Sequence, residues 1–225
     1  MVKILKKKNK NFYFNFEILL KKREIFDKPI EKKVNNIISL VRKKGDSALL
    51  DFTNKFDKLN AKSFNDLVVS EKELLNAYKK TPSKIIKSLK NAIKRVKLFH
   101  QKQRPNNLIY RDKQGVTLGS IWNPIDSVGL YVPGGKAAYP SSLIMNVVPA
   151  IVAKVPRVVI TVPATKGEIN PLVLTCCKLL NVQEIYKIGG AQAIAALALG
   201  TSNINKVDKI FGPGNAYVSL AKKKF

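Results

Sequence analysis

The stretch Val182–Gly200, VQEIYKIGGAQAIAALALG, decides the fold. Its first half, Val182 to Ile188, carries apolar side chains at Val182, Ile185, Tyr186 and Ile188, short and β-branched enough for a mostly buried strand. The run breaks at Gly189-Gly190. From Ala191, Ala, Ile and Leu continue without a breaker until Gly200, the pattern of a helix closed by a C-terminal glycine. Strand, tight glycine turn and helix make half of a βαβ unit. Two glycines let another group approach the backbone, and free N–H groups at a helix start suit negative charge, commonly a phosphate. The turn is the first candidate for a cofactor contact. It falls short of the full G-x-G-x-x-G fingerprint, so a plain packing turn is the competing reading.

The same grammar repeats around it. Ser127–Val132 is a short apolar strand ending at Pro133-Gly134-Gly135, followed by a helix from Ser141 towards Ala153. Val158–Val162 reads as a buried strand closed by Pro163, and Ile169–Leu180 as a helix with Pro171 in its first turn. Lys209–Phe211 is a strand ending in Gly212-Pro213-Gly214-Asn215, with a helix after it. Four strands alternating with helices predict a parallel, three-layer α/β domain from about residue 127. Three of the four strands end in glycine turns, and ligands of such sheets sit beyond the carboxyl ends of the strands. Tyr131, Gln192 and Asn215 stand at or beside those turns, which makes a nucleotide-sized site the natural expectation. Taken alone, Gln192 and Asn215 also suit helix-start capping.

The residues before this alternation read as mainly helical. Met1 to about Lys28 suggests a helical arm. Val34, Ile37, Ile38 and Val41 form a helical stripe over Ile30–Arg42, stopped at Gly45. Asp46–Phe56 follows, with Ala48, Leu49, Phe52 and Phe56 on one side. Ser70 and Glu73 make a capping box, Thr81-Pro82 interrupts that helix, and Ser83 to about Lys102 is a long one with Ile85, Ile86, Leu89, Ile93, Val96 and Leu98 apolar. Leu108–Tyr110 and Val116–Trp122 then read as a hairpin or edge, with Gly115 and Gly119 as turn residues.

Composition narrows the function classes. The 41 Lys and Arg against 15 Asp and Glu give a net charge of +26, which invites nucleic acid, but 30 of the 41 precede Ile121 and they are not interleaved with aromatic residues. A basic nucleic-acid-binding protein and a degenerate gene product without activity are the competing readings. No apolar run is long enough to span a membrane, no cleavable leader is recognisable, and the chain reads as cytoplasmic. Cys176 and Cys177 are adjacent, unsuited to a mutual disulfide, and read as small buried side chains. His100 is the only histidine and reads as a packing or capping residue. Asp126, Glu168, Glu184 and Asp208 have no paired spacing, so no catalytic or metal-ligating residue is assigned.

Three segments, VGLYVPGGKAAYPSSLIMNVVPAIVA, IYKIGGAQAIAALALGT and VDKIFGPGNAYVSLAK, together resemble the histidinol dehydrogenase family, and KKGDSALLDFTNKFD and AIKRVKLFHQKQ resemble its amino-terminal helical region. The resemblance implies a Rossmann-like parallel sheet with flanking helices, preceded by a mainly helical amino-terminal region. It implies three parts: an arm over 1–28, the opening of a first Rossmann-like domain over 29–126, and a second, NAD-side domain over 127–225. It implies NAD as cofactor, held by Tyr131, Gln192 and Asn215, with L-histidinol oxidised in two steps to L-histidine by a homodimer. The family's zinc ligands, Glu-His pair and histidinol contacts have no counterpart here, so the expectation is a truncated chain, inactive alone. One departure stands inside the match: Lys154 occupies a position that is usually glycine in the family, where the expectation is a solvated, harmless side chain and the alternative a disturbed helix end.

Overall fold

The computed structural model describes residues 4–24, 28–134, 139–165 and 167–225. Gly135, part of the expected turn after Val132, lies outside them. Four strands, β3 (Ser127–Tyr131), β4 (Arg157–Thr161), β5 (Glu184–Tyr186) and β6 (Lys209–Phe211), form one parallel sheet in the order β5-β4-β3-β6. An antiparallel hairpin, β1 (Leu108–Arg111) and β2 (Thr117–Ser120), is separate from it.

The sheet is apolar on both faces because both are covered. Along β3, Val128, Leu130 and Val132 join one core while Tyr131 joins the other; β4 divides Ile160 from Val159 and β5 divides Ile185 from Tyr186 in the same way. Helices α6 (Pro140–Ala153) and α7 (Pro171–Leu179) cover the first face, and α8 (Gly190–Leu199) and α9 (Ala216–Lys223) the second. Gly129 in the middle of β3 leaves room for Leu197 of α8: a Cβ there would lie 2.9 Å from the leucine Cδ1.

The helices of the first hundred residues add an outer layer on each side. Helices α2 (Lys28–Lys44) and α3 (Asp46–Asp57) pack over α8, with α2 also on α9. Helices α4 (Glu71–Lys80) and α5 (Ser83–Gln103) pack over α7 and α6. The stripe Val34, Ile37, Ile38 and Val41 is buried as its spacing predicts. The capping box is formed: the Ser70 N–H donates to Glu73 Oε2 at 2.8 Å and the Glu73 N–H to Ser70 Oγ at 3.3 Å. Helix α1 (Phe12–Glu24) precedes them, with Tyr13 and Phe14 exposed.

Polar contacts lock the layers. Arg157 grips Glu184 with two guanidinium hydrogen bonds of 2.7 and 2.8 Å and donates to the Asn205 and Lys206 carbonyls, joining β4, β5 and the loop before β6. Asp208 accepts from the Ser127 amide and hydroxyl, both at 2.7 Å, aligning β6 with β3. The outer edge of β5 is closed by the segment before α4, where the Val69 N–H donates to the Ile185 carbonyl and the Lys187 N–H to the Leu67 carbonyl. Thus Glu184 and Asp208, without paired spacing in the sequence, are structural.

Three expectations are corrected. Gly119 is not a turn residue: it lies inside β2 opposite Ile109, where a Cβ would stand 2.6 Å from the Leu108 carbonyl, and the turn is made by Gly115 at φ +86°. The apolar side of α5 is only partly covered, with Leu89 buried and Ile85 and Leu98 exposed. Phe56, expected on the packed side of α3, is exposed as well.

Candidate functional site

In the order β5-β4-β3-β6 the chain runs outward from β3 to β5 and then returns to the other side of β3. The switch point between β3 and β6 is where an open parallel sheet leaves a crevice beyond its carboxyl ends. A cleft of about 990 Å³ lies there, at the upper end of the range of small-molecule sites. Its floor is the strand ends, including Tyr131, Pro163, Gly189 and Gly214; its opposite wall is α2 and α3, including Ile37, Phe52 and Phe56.

Tyr131, Gln192 and Asn215 all line this cleft, although they come from three different strand–helix junctions. Tyr131 is buried, and its phenolic oxygen accepts from the Gly190 N–H at 3.2 Å. Burial pushes its pKa up, so the O–H remains protonated and free to donate. Asn215 is the N-cap of α9, its Oδ1 accepting from the Val218 N–H at 3.2 Å. The capping reading of Asn215 is therefore realised, and its Nδ2 group is what remains for a ligand. Gln192 is buried in the first turn of α8, its amide folded against Gly190: a Cβ on that glycine would meet Gln192 Oε1 at 2.7 Å.

The glycine turns are there for contact. Gly189 sits on Pro163, at a spot where a Cβ would come within 2.5 Å of the proline Cβ. Gly212, at φ +115°, passes so close to the Tyr131 carbonyl that no side chain fits. At the expected phosphate cradle, the start of α8, part of the backbone is already engaged. The Gly190 N–H is engaged by Tyr131, and the Gly189 amide is turned to the carboxylate of Asp57.

Asp57 is the site residue that the sequence reading missed. It is the last residue of α3, it lines the cleft, and its Oδ2 is buried without a hydrogen-bond partner. Burial raises its pKa to about 6, against the opposing pull of the Gly189 amide. A signal was present in the sequence: an acidic side chain ending a helix faces the negative pole of the macrodipole, and such local conflicts collect at functional sites.

The described residues do not fit a zinc site. His100 lies on α5 outside the cleft lining, Cys176 and Cys177 are buried within α7, and no three His, Cys, Asp or Glu side chains converge among the described residues. Burial pushes the Cys176 thiol up to about 12, which leaves it an inert core group. No described helix is long and apolar enough to cross a membrane.

A histidinol dehydrogenase from Neisseria gonorrhoeae is 48% identical over 194 residues, covering 86% of this chain and 45% of the relative. One from Brucella abortus is 45% identical over 223 residues, covering 99% of this chain and 52% of the relative. The crystal structure of histidinol dehydrogenase from Elizabethkingia anophelis superposes with a TM-score of 0.82 at 34% identity, over 87% of this chain and 45% of that one. The chain spans about half the length of the relatives it matches. With the histidinol dehydrogenase family model matching residues 20–225, the chain belongs to the histidinol dehydrogenase family.

Proposed function

We propose that this chain supplies the NAD-binding side of an enzyme that oxidises L-histidinol to L-histidine in two hydride transfers. The observation that carries the reading is the convergence of Tyr131, Gln192 and Asn215 on one cleft at the switch point of the sheet. NAD, when bound, accepts the hydride. The residues of this chain bind and orient. Tyr131 and Asn215 each have their accepting oxygen engaged by a backbone N–H, so both present donors to the oxygen atoms of a ligand. The aromatic wall of Phe52 and Phe56 suits a flat heterocycle.

In this reading residues 127–225 are the NAD-side domain and 29–126 open a first domain. Zinc, the histidinol contacts and the proton-transfer pair belong to the part of the relatives' length that this chain does not match, and the assembled enzyme is a homodimer. The chain alone binds NAD but does not form NADH from histidinol.

Calorimetric titration with NAD tests this. The expected result is saturable binding in the micromolar to millimolar range, weakened about tenfold in Asn215→Asp, which keeps the helix cap and removes the amide donor. Absence of saturable binding, with no rise in thermal midpoint at millimolar NAD, defeats the proposal. Tight binding of arbitrary RNA with a steep salt slope would instead favour a nucleic-acid role for the +26 charge.

A further inference from the structure

Helix α9 closes on three consecutive lysines, Lys222, Lys223 and Lys224, at the pole of the macrodipole that suits cations. Lys224 does what that position favours for a surface cation, pairing with Glu31 of α2 at 2.6 Å. Lys222 does something else. Its half-buried side chain runs back along the helix, the direction in which a helical Cα–Cβ bond points, and its ammonium donates to the Gly212 carbonyl before the helix begins. Burial lowers the pKa of this ammonium, as withdrawal from water does for any lysine. A charged donor drawn out of solvent onto one backbone carbonyl holds that carbonyl more firmly than a neutral donor would.

The carbonyl belongs to a turn that forms part of the cleft. Phe211, opposite Leu130, is the last paired residue of β6, and beyond it Pro213, Gly214 and Asn215 line the cleft. Lys222 is not in that lining, so it reaches the turn from outside the cleft. At its far end the turn is tied to α9 by the Asn215 cap on the Val218 N–H. At its near end it is tied to the same helix by the Lys222 ammonium. We propose that Lys222 is a positioning residue, whose bond to Gly212 holds the Gly212–Asn215 turn so that the Asn215 Nδ2 group stays available to the cleft. The proposal rests on the cofactor reading above for what the turn contacts, and adds a residue outside the cleft on which that contact depends.

The test compares wild type with Lys222→Met, Lys222→Arg and a control, Lys224→Met, which breaks the Glu31 pair at the same end of α9. Each full chain is measured by amide hydrogen exchange over residues 212–218 and by calorimetric titration with NAD, and urea unfolding reports that the fold is intact. In Lys222→Met, exchange in that segment should quicken about tenfold and NAD should bind roughly five- to tenfold more weakly. Lys222→Arg, which keeps a charged donor on a long stem, should recover both. Lys224→Met should leave both unchanged, which separates the loss of this one bond from a general loosening of the helix end. Unaltered exchange in Lys222→Met overturns the proposal. So does faster exchange with unaltered NAD affinity, or an equal loss of affinity in Lys224→Met. Should Lys222→Met fail to fold, Lys222→Gln, uncharged and shorter, takes its place in the same comparison. If wild type does not bind NAD, the cofactor reading fails, and the exchange comparison alone decides whether Lys222 holds the turn.

Discussion

Asp57 sits where local rules argue against a carboxylate: at the C-terminal pole of α3, half-buried, with its buried Oδ2 lacking a partner. Its pKa, raised from 3.8 to about 6, fixes the sign of a stability effect. Between those values the folded chain holds the proton more tightly than the unfolded chain, so this residue's contribution to stability falls as pH rises from about 4 to 6. Above that window the penalty is constant. Asp57→Asn should therefore be more stable than wild type above about pH 6, by about 1–2 kcal/mol once solvent screening of the partly exposed carboxylate is allowed for, and closely matched to it near pH 3. Urea unfolding of both proteins across this range measures it. A less stable variant at neutral pH would mean that the Gly189 amide contact outweighs the cost of burial. Tyr131→Phe runs the other way. It leaves the Gly190 N–H without its acceptor in a buried turn and should cost about 1–2 kcal/mol in the same assay.

At the scale of elements, the end of α6 gives the most direct prediction. Lys154 is its C-cap in the left-handed conformation, at φ +64°, which is why glycine suits the position and why lysine strains it. Lys154→Gly should raise stability by about 1 kcal/mol, read as a higher urea midpoint with an unchanged slope; a lower midpoint would show that the lysine stem packs more than the backbone strains. The resemblance alone pointed to this position, whereas all four parallel strands and the buried stripe of α2 were legible in the sequence, because each follows from a local period or a breaker. Tyr131, Gln192 and Asn215 were legible because glycine turns mark strand ends. Asp57 was only hinted at by the acidic end of α3: its place in the cleft comes from α3 folding over α8, a long-range packing that no local pattern encodes. Gly119 was misread for a related reason, since a glycine inside a strand and one in a turn look alike until the partner strand is known.

At the scale of the whole molecule, the feature that stands out is the β1–β2 hairpin. Every residue of both strands is exposed, and together with its flanks it shows Leu108, Ile109 (63%), Leu118, Ile121 and Trp122 (60%) to solvent, a group of apolar side chains of the kind that marks a contact surface. The two core clusters lie on the sheet and its helices, so the hairpin contributes little to the stability of this chain. Ile109→Glu/Trp122→Glu should then leave the urea midpoint within about 0.5 kcal/mol of wild type. The same change should abolish binding of a hydrophobic dye and suppress self-association. Salt gives the decisive reading of that association. With a net charge of +26, copies of the chain repel one another, so added salt screens the repulsion and strengthens apolar contact. A charge-driven complex with nucleic acid would weaken under the same addition. Light scattering that rises with salt in wild type and stays flat in the double variant identifies the hairpin as the contact surface. Scattering that is unchanged by the two substitutions would place that surface elsewhere on the molecule.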